Sequence, residues 1–261
     1  MKVKLYMFSG SNAVLTAQLM LEHKCITDYK RVNMPPGAHA LIMLATGFET
    51  MTVPAIKVDG RRIQGTRNIS RALDELVPEP RLFPTDPERR RAVEEAERWG
   101  EQLQDATRRV FYCLARRDHR AFASFMTAGR SFPMRFMLRT AAPAIVRLAG
   151  AYHRATEAAG QADVAALPAR LDQIDAWIEE GLLNGTELNA ADFQIAVNLS
   201  AMLRSEDARP FIEGRPAAGL ARRVAPTYPG HIGAVLPAEW LEPLGAGPSR
   251  TTVAPSGLSG E

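Results

Sequence analysis

Between Val53 and Thr66 the chain reads Val-Pro-Ala-Ile-Lys-Val-Asp-Gly-Arg-Arg-Ile-Gln-Gly-Thr, and few folds accommodate such a run. Val53 to Val58 is short and rich in β-branched residues, Asp59-Gly60 is a two-residue hairpin signal, and Arg61 to Gln64 supplies the return strand. Gly65 releases the chain, and Thr66 is placed to cap a helix over Arg67 to Val77. In that helix Ile69, Leu73 and Leu76 recur at steps of four and three, giving one apolar face. A cap hydroxyl beside unpaired backbone N–H groups at the positive end of a helix makes a small anion site suited to a carboxylate. Pro54 opens its strand, where a missing N–H costs least. A cis bond before it would turn the Val53 N–H and carbonyl outward, ready to pair with an extended, peptide-like ligand.

The flanking elements build a domain around this run. Val3 to Phe8 reads as a central strand, Ser9-Gly10-Ser11-Asn12 breaks it, and a helix over Ala13 to Lys24 leads to a second strand at Asp28 to Val32. Such a βαβ unit yields a parallel pair. Met34 to Gly37 is a loop and Ala40 to Ala45 a short helix, so the order is βαβ, α, ββα. That order matches a thioredoxin-like α/β fold in which the Ser9–Asn12 loop faces Val53-Pro54. Pro78, Pro80, Pro84 and Pro87 then forbid continuous helix and mark a stiff linker. Beyond it the pattern is all-α: Glu88 to Arg117, Arg120 to Met126, Phe136 to Ala155, and Val164 to Glu180 closed by Gly181. Asn189 and Asp192 form a capping-box variant that opens a helix to Leu203, with Leu188 and Phe193 at the staple positions. The expected domains are 1–78 for the α/β unit, 79–87 for the linker, 88–243 for the helical unit and 244–261 for a Gly/Pro/Ser/Thr tail with little to bury.

Val53-Pro54-Ala55-Ile56, Asp59-Gly60, Gly65-Thr66 and Ile69 together resemble the signature of the glutathione S-transferase superfamily, and the Asn189–Asp192 box resembles that of its helical domain. The resemblance covers roughly Lys2 to Leu203. It implies a thioredoxin-like domain followed by a helical bundle, and transfer of a thiol onto a small electrophile. It implies that Pro54 is cis, that Val53 binds the cysteinyl backbone of glutathione, and that Thr66, with Arg67 beside it, binds the γ-glutamyl carboxylate. The sequence departs from the family at Gly65, where Glu or Gln is usual. Glutathione or a related thiol is then a co-substrate, with no separate cofactor, and a homodimer is expected. The thiol-activating donor of the family lies just after the first strand. Ser11 is the first candidate and Asn12 and Ser9 are the others; equally, Ser11 or Asn12 simply caps the helix. Tyr6 lies inside the strand and reads as core. The alternatives are a transferase of a different low-molecular-weight thiol, and a non-catalytic module that keeps the fold.

Composition narrows the classes further. A net charge of +3 is too weak to argue for nucleic acid. Nothing resembles a signal peptide, which makes a cytoplasmic location the default, and no apolar run is long enough to span a bilayer. Cys25 and Cys113 form neither a redox motif nor a zinc-spaced cluster and read as free buried thiols. His39, His119, His153 and His231 lack metal spacing. Between Arg108 and Arg147 nine arginines stand against Asp118 alone. Phe122, Phe125, Met126, Phe132, Met134, Phe136 and Met137 crowd the same region. Helix packing and solvated helix faces explain most such patterns; an acidic or apolar co-substrate and a membrane surface are the other readings.

Overall fold

A computed structural model describes residues 1–35, 38–119, 132–228 and 231–245. The helix expected over Arg120 to Met126, with Phe122, Phe125, Arg130 and the tail beyond Gly245, lies outside the described residues, as do the side chains of Phe132, Met134, Arg135 and Met137.

The α/β part runs β1 (Val3–Met7), α1 (Asn12–His23), β2 (Lys30–Asn33), α2 (His39–Ala45), β3 (Ala55–Val58), β4 (Arg61–Gln64) and α3 (Thr66–Leu76). The sheet order is β2-β1-β3-β4, with β1 and β2 parallel and the other neighbours antiparallel. This is the expected thioredoxin-like arrangement. Alternation along β1 sends Val3, Leu5 and Met7 to one face, where they meet Val14, Ala17, Met20 and Leu21 of α1 and Ile69, Ala72 and Leu73 of α3. Tyr6 goes to the other face, against Met34, Met43, Phe48 and Ala55. Tyr6 is therefore core, as expected. Leu76, expected on the apolar face of α3, is 40% exposed. The buried apolar face of α3 ends at Leu73. Cys25 is exposed in a left-handed turn (φ 56°) after α1, against the expectation of a buried thiol; Cys113 is buried.

Lys24 is fully buried at the other end of α1, where its ammonium donates to Asp74, the Val77 carbonyl and the Pro80 carbonyl. Leu82 and Phe83 then bury themselves, and Asp86 caps the next helix by accepting from the Arg89 N–H at 2.8 Å. The helices that follow are α4 (Pro87–Arg117), α5 (Phe132–Tyr152), α6 (Glu157–Ala165), α7 (Leu167–Glu179), α8 (Ala190–Leu203), α9 (Arg209–Ile212), α10 (Pro216–Val224) and α11 (Ala238–Leu241). The single helix expected over Val164 to Glu180 is two, α6 and α7. Pro168 sits in the first turn of α7, where its missing N–H is harmless, and Thr156 caps α6. Helix α8 is buried all round from Ala190 to Ala201 and is the centre of this part, packed by α4, α10 and α1.

The Asn189–Asp192 capping box forms as expected. Asp192 is fully buried and accepts from the Asn184 N–H at 2.7 Å and the Asn189 N–H at 2.8 Å. Burial pushes its carboxyl from 3.8 up to about 6, against the pull of those bonds. Asp192→Ala strands two buried N–H groups and is expected to cost about 2–4 kcal/mol in denaturant unfolding. The folded chain holds a proton here that the unfolded chain releases near 3.8. The stabilisation from that proton is complete below 3.8 and is lost as pH rises through about 6. Asp192→Asn should remove this part of the pH slope, which paired unfolding curves across that window would read.

Candidate functional site

Strand register assembles the site. Ala55 pairs with Gln64 across the β3–β4 hairpin. One step further the Gly65 N–H donates to the Pro54 carbonyl at 3.0 Å, which brings the start of α3 beside Val53-Pro54. The Val53–Pro54 bond is cis, as the resemblance implied, and no described residue hydrogen-bonds the Val53 N–H or carbonyl. Tyr6 pairs with Ala55, so the loop after β1 leaves the sheet beside Val53. Because β4 runs parallel to β1, α1 and α3 both begin at this end. Two helix N-termini thus converge on one sheet edge that also offers an unpaired backbone, and together they favour an anion.

Thr66 is not the helix cap. Gly65 holds that position at φ 86° and ψ 145°, and Thr66 is the first helical residue, 3% exposed. Its hydroxyl bonds no described residue, and it is not among the fully sealed, unpaired polar atoms. The slip of one residue follows from backbone geometry: glycine alone enters that φ/ψ region cheaply, so it takes the turn. Gln64 donates to the Thr50 and Thr52 carbonyls at 2.8 and 2.7 Å, pinning the loop that enters Val53.

The three thiol-activating candidates part company here. Ser11 is the N-cap of α1 and accepts from the Val14 N–H at 3.4 Å, a long bond that leaves its hydroxyl proton unused. Asn12 donates to Asn198 of α8 at 3.0 Å and accepts from the Tyr228 hydroxyl. Burial pushes the Tyr228 phenol up to about 12, so it remains a neutral donor. Asn12 thereby joins the sheet part to the helical part rather than facing the cleft. Ser9 is exposed and accepts from Asn33 at 3.2 Å.

Arg67 lines a cavity of about 190 Å³ with Gly65, Asn68, Arg71 and Glu101. Beneath it lies Glu97, fully buried on α4, accepting from Ser70 at 2.6 Å and from Arg71 at 2.7 Å. Burial raises the Glu97 pKa, while these bonds and the charges of Arg71 and Arg67 oppose the rise. Arg67 itself is loosely held, 3.8 Å from Glu97 and 3.7 Å from Glu101, and its Nε is buried without a hydrogen bond. Sequence reading missed Arg71, Glu97 and Glu101. The available signal was Glu97 itself, a charge four residues after Val93 on the buried stripe of α4.

The basic stretch does not form an open surface along α4. Arg109 is paired with Asp163 at 2.6 and 2.9 Å, Arg108 with Asp105 at 2.8 Å and Arg117 with Glu157 at 3.1 Å. Burial works against the Asp163 charge, yet the bonds from Arg109 and Arg170 hold its pKa below the ordinary value. Arg139 and Arg147 remain exposed on α5.

No protein-family model matches this sequence, and no curated protein does. Solved structures do. Glutathione transferase F7 from Populus trichocarpa aligns with a TM-score of 0.59 at 16% identity, over 86% of this chain and 94% of its own. A glutathione S-transferase from Rhodospirillum rubrum F11 aligns with a TM-score of 0.54 at 20% identity, over 92% of this chain and 99% of its own. One from Methylobacterium radiotolerans, in complex with glutathione sulfonate, aligns with a TM-score of 0.52 at 18% identity, over 86% of this chain and 90% of its own. At these identities the likeness establishes a common fold.

Gly65→Ala tests the turn that sets this edge. A methyl group there meets no atom within 4 Å, so any loss is backbone strain at φ 86°. An unfolding free energy lowered by about 1–3 kcal/mol is expected; an unchanged one would show that the turn tolerates any residue.

Proposed function

We propose, from the premise that the chain has the glutathione S-transferase fold, that it transfers a glutathione-type thiol onto a small electrophile. The observation that carries this reading is the cis Val53–Pro54 edge, with its unpaired backbone set one register step from the start of α3. In this reading the Val53 N–H and carbonyl pair with the cysteinyl unit of the thiol. The Thr66 hydroxyl and the first N–H groups of α3 take its terminal carboxylate, with Arg67 contributing charge at the rim. The Ser11 hydroxyl and the N-terminus of α1 favour the thiolate. The thiol proton leaves to water, and sulfur forms a bond to an electrophilic carbon as that carbon's leaving group or π bond accepts the electron pair. The same reading carries a cytoplasmic homodimer.

Gly65 and the engagement of Asn12 favour a second reading, a binding module of the same fold without turnover. Gly65 lacks the side chain the family uses on the ligand, and Asn12 is spent on Asn198 and Tyr228. Retention on immobilised glutathione and turnover of an aromatic electrophile separate the two. Thr66→Val keeps the shape and is expected to weaken thiol binding about 10–100-fold. Ser11→Gly spares most of the helix cap, whose loss costs only a few tenths of a kcal/mol. It should lower turnover about a hundredfold and raise the pKa of the bound thiol, seen as lost thiolate absorbance. Retention without turnover leaves the binding module, and absence of both removes the thiol reading.

A further inference from the structure

Strand register lines up one cation from every strand of the sheet. Lys4 of β1 pairs with Lys30 of β2 on one side and with Lys57 of β3 on the other, and Lys57 pairs with Arg62 of β4. Cross-strand partners share a face, so the four form one row across the whole sheet, about 4.8 Å from strand to strand and about 14 Å long. This is the face of Tyr6, and the neighbouring row of Val32, Tyr6, Ala55 and Gln64 separates the cations from the Val53-Pro54 cleft. Lys4, Lys30 and Arg62 are exposed and Lys57 is half-buried. Among the described residues none of the four has an acidic partner. Arg62 gives its Nε to the Thr46 carbonyl at 3.0 Å, and the three lysine side chains make no hydrogen bond. Asp59, at the hairpin turn, is bonded by the Lys2 N–H at 2.8 Å, and Asp28 and Glu49 pair with none of the row.

Like charges directly opposite on neighbouring strands repel, so the row costs the fold stability. Cations on edge strands guard a sheet against pairing with another, which accounts for Lys30 on β2 and Arg62 on β4. Lys4 and Lys57 lie on the two inner strands, where there is no edge to guard. We propose that this row binds an acidic segment of a partner protein, laid across the strands. Helical steps of three and four residues advance about 4.5–6 Å, close to the strand spacing, so Glu or Asp at those steps sets a carboxylate against each cation. Binding then relieves the repulsion that the free sheet carries. A single-stranded nucleic acid would need open rings beside the cations for its bases, and the rings packed on this face, Tyr6 and Phe48, are buried. A lipid surface would need large apolar side chains among the cations, and the row holds none.

Fluorescence anisotropy tests this with the full chain and a labelled helical peptide bearing Glu at steps of three and four, set against the same peptide with Gln for Glu. Only the Glu peptide is expected to bind, and more weakly as salt rises. Lys4→Gln and Lys57→Gln should each weaken binding about two- to fivefold. Lys4→Glu sets a carboxylate between Lys30 and Lys57, and Lys57→Glu sets one between Lys4 and Arg62. Each reversal should abolish binding while raising the melting temperature, so the loss is not a loss of folding. Arg98→Gln, at an exposed position of α4, should leave binding unchanged. Four results would overturn the proposal: no binding of the Glu peptide, equal binding of both peptides, reversal variants that still bind, or an Arg98→Gln loss as large as that of Lys4→Gln. So would a single-stranded oligonucleotide, or phosphatidylglycerol vesicles, bound more tightly than the Glu peptide and released by Lys4→Glu, which would assign the row to that ligand.

Discussion

The ammonium of Lys24, at the end of α1, has no access to water and three donors to satisfy, and the end of α3 and the chain just beyond it supply its acceptors. It bonds Asp74 at 2.7 Å, the Val77 carbonyl at 2.8 Å and the Pro80 carbonyl at 2.5 Å. Asp74 in turn accepts from the Leu82 N–H at 2.7 Å. The junction therefore ties the end of α1, the end of α3 and the chain leaving for the helical part. A buried ammonium with all three protons engaged is costly to strand, by about 3–5 kcal/mol when its carboxylate partner is removed. With their C-terminal ends joined here, α1 and α3 present their N-termini together at the opposite edge of the sheet, which is where the cleft lies.

That cleft is built mostly of backbone. The outward N–H and carbonyl of Val53, the first turns of α1 and α3, and the Gly65 turn are fixed by hydrogen-bond register and by φ/ψ preference, not by special side chains. Side chains add charge around it. Glu97 reaches from α4 to hold Ser70 and Arg71, so the helical part supplies the counter-charge that keeps Arg71 in place. Asn12, Asn198 and Tyr228 make the second polar connection between the two parts.

In the helical part, charged residues act mainly through partners distant in sequence. Arg109 and Arg170 converge on Asp163, and Arg215 holds Asp172 and Asp175. Each places a salt bridge between elements, so on α4 Arg108, Arg109 and Arg117 of the arginine-rich stretch are each held by a carboxylate rather than forming one cationic surface.

The sequence by itself determined the order of elements in the α/β part, the Asp59-Gly60 hairpin and the Asn189–Asp192 cap, and its resemblance implied the cis Val53–Pro54 bond. In each the interacting groups lie within a few residues, so chain chemistry specifies them before any packing occurs. Tertiary structure alone decided the burial of Lys24, the pairing of Arg109 with Asp163, the place of Glu97 against Ser70 and Arg71 and the diversion of Asn12 to Asn198. A Lys, Arg, Glu or Asn has the same local preference on a solvated face as in a buried network. Only the approach of a partner 26 to 186 residues away chooses between them. Thr66 stands between the two cases. Its neighbourhood was legible, but a glycine at positive φ took the cap and set the Thr66 hydroxyl one step into the helix, because only glycine adopts that φ/ψ without strain.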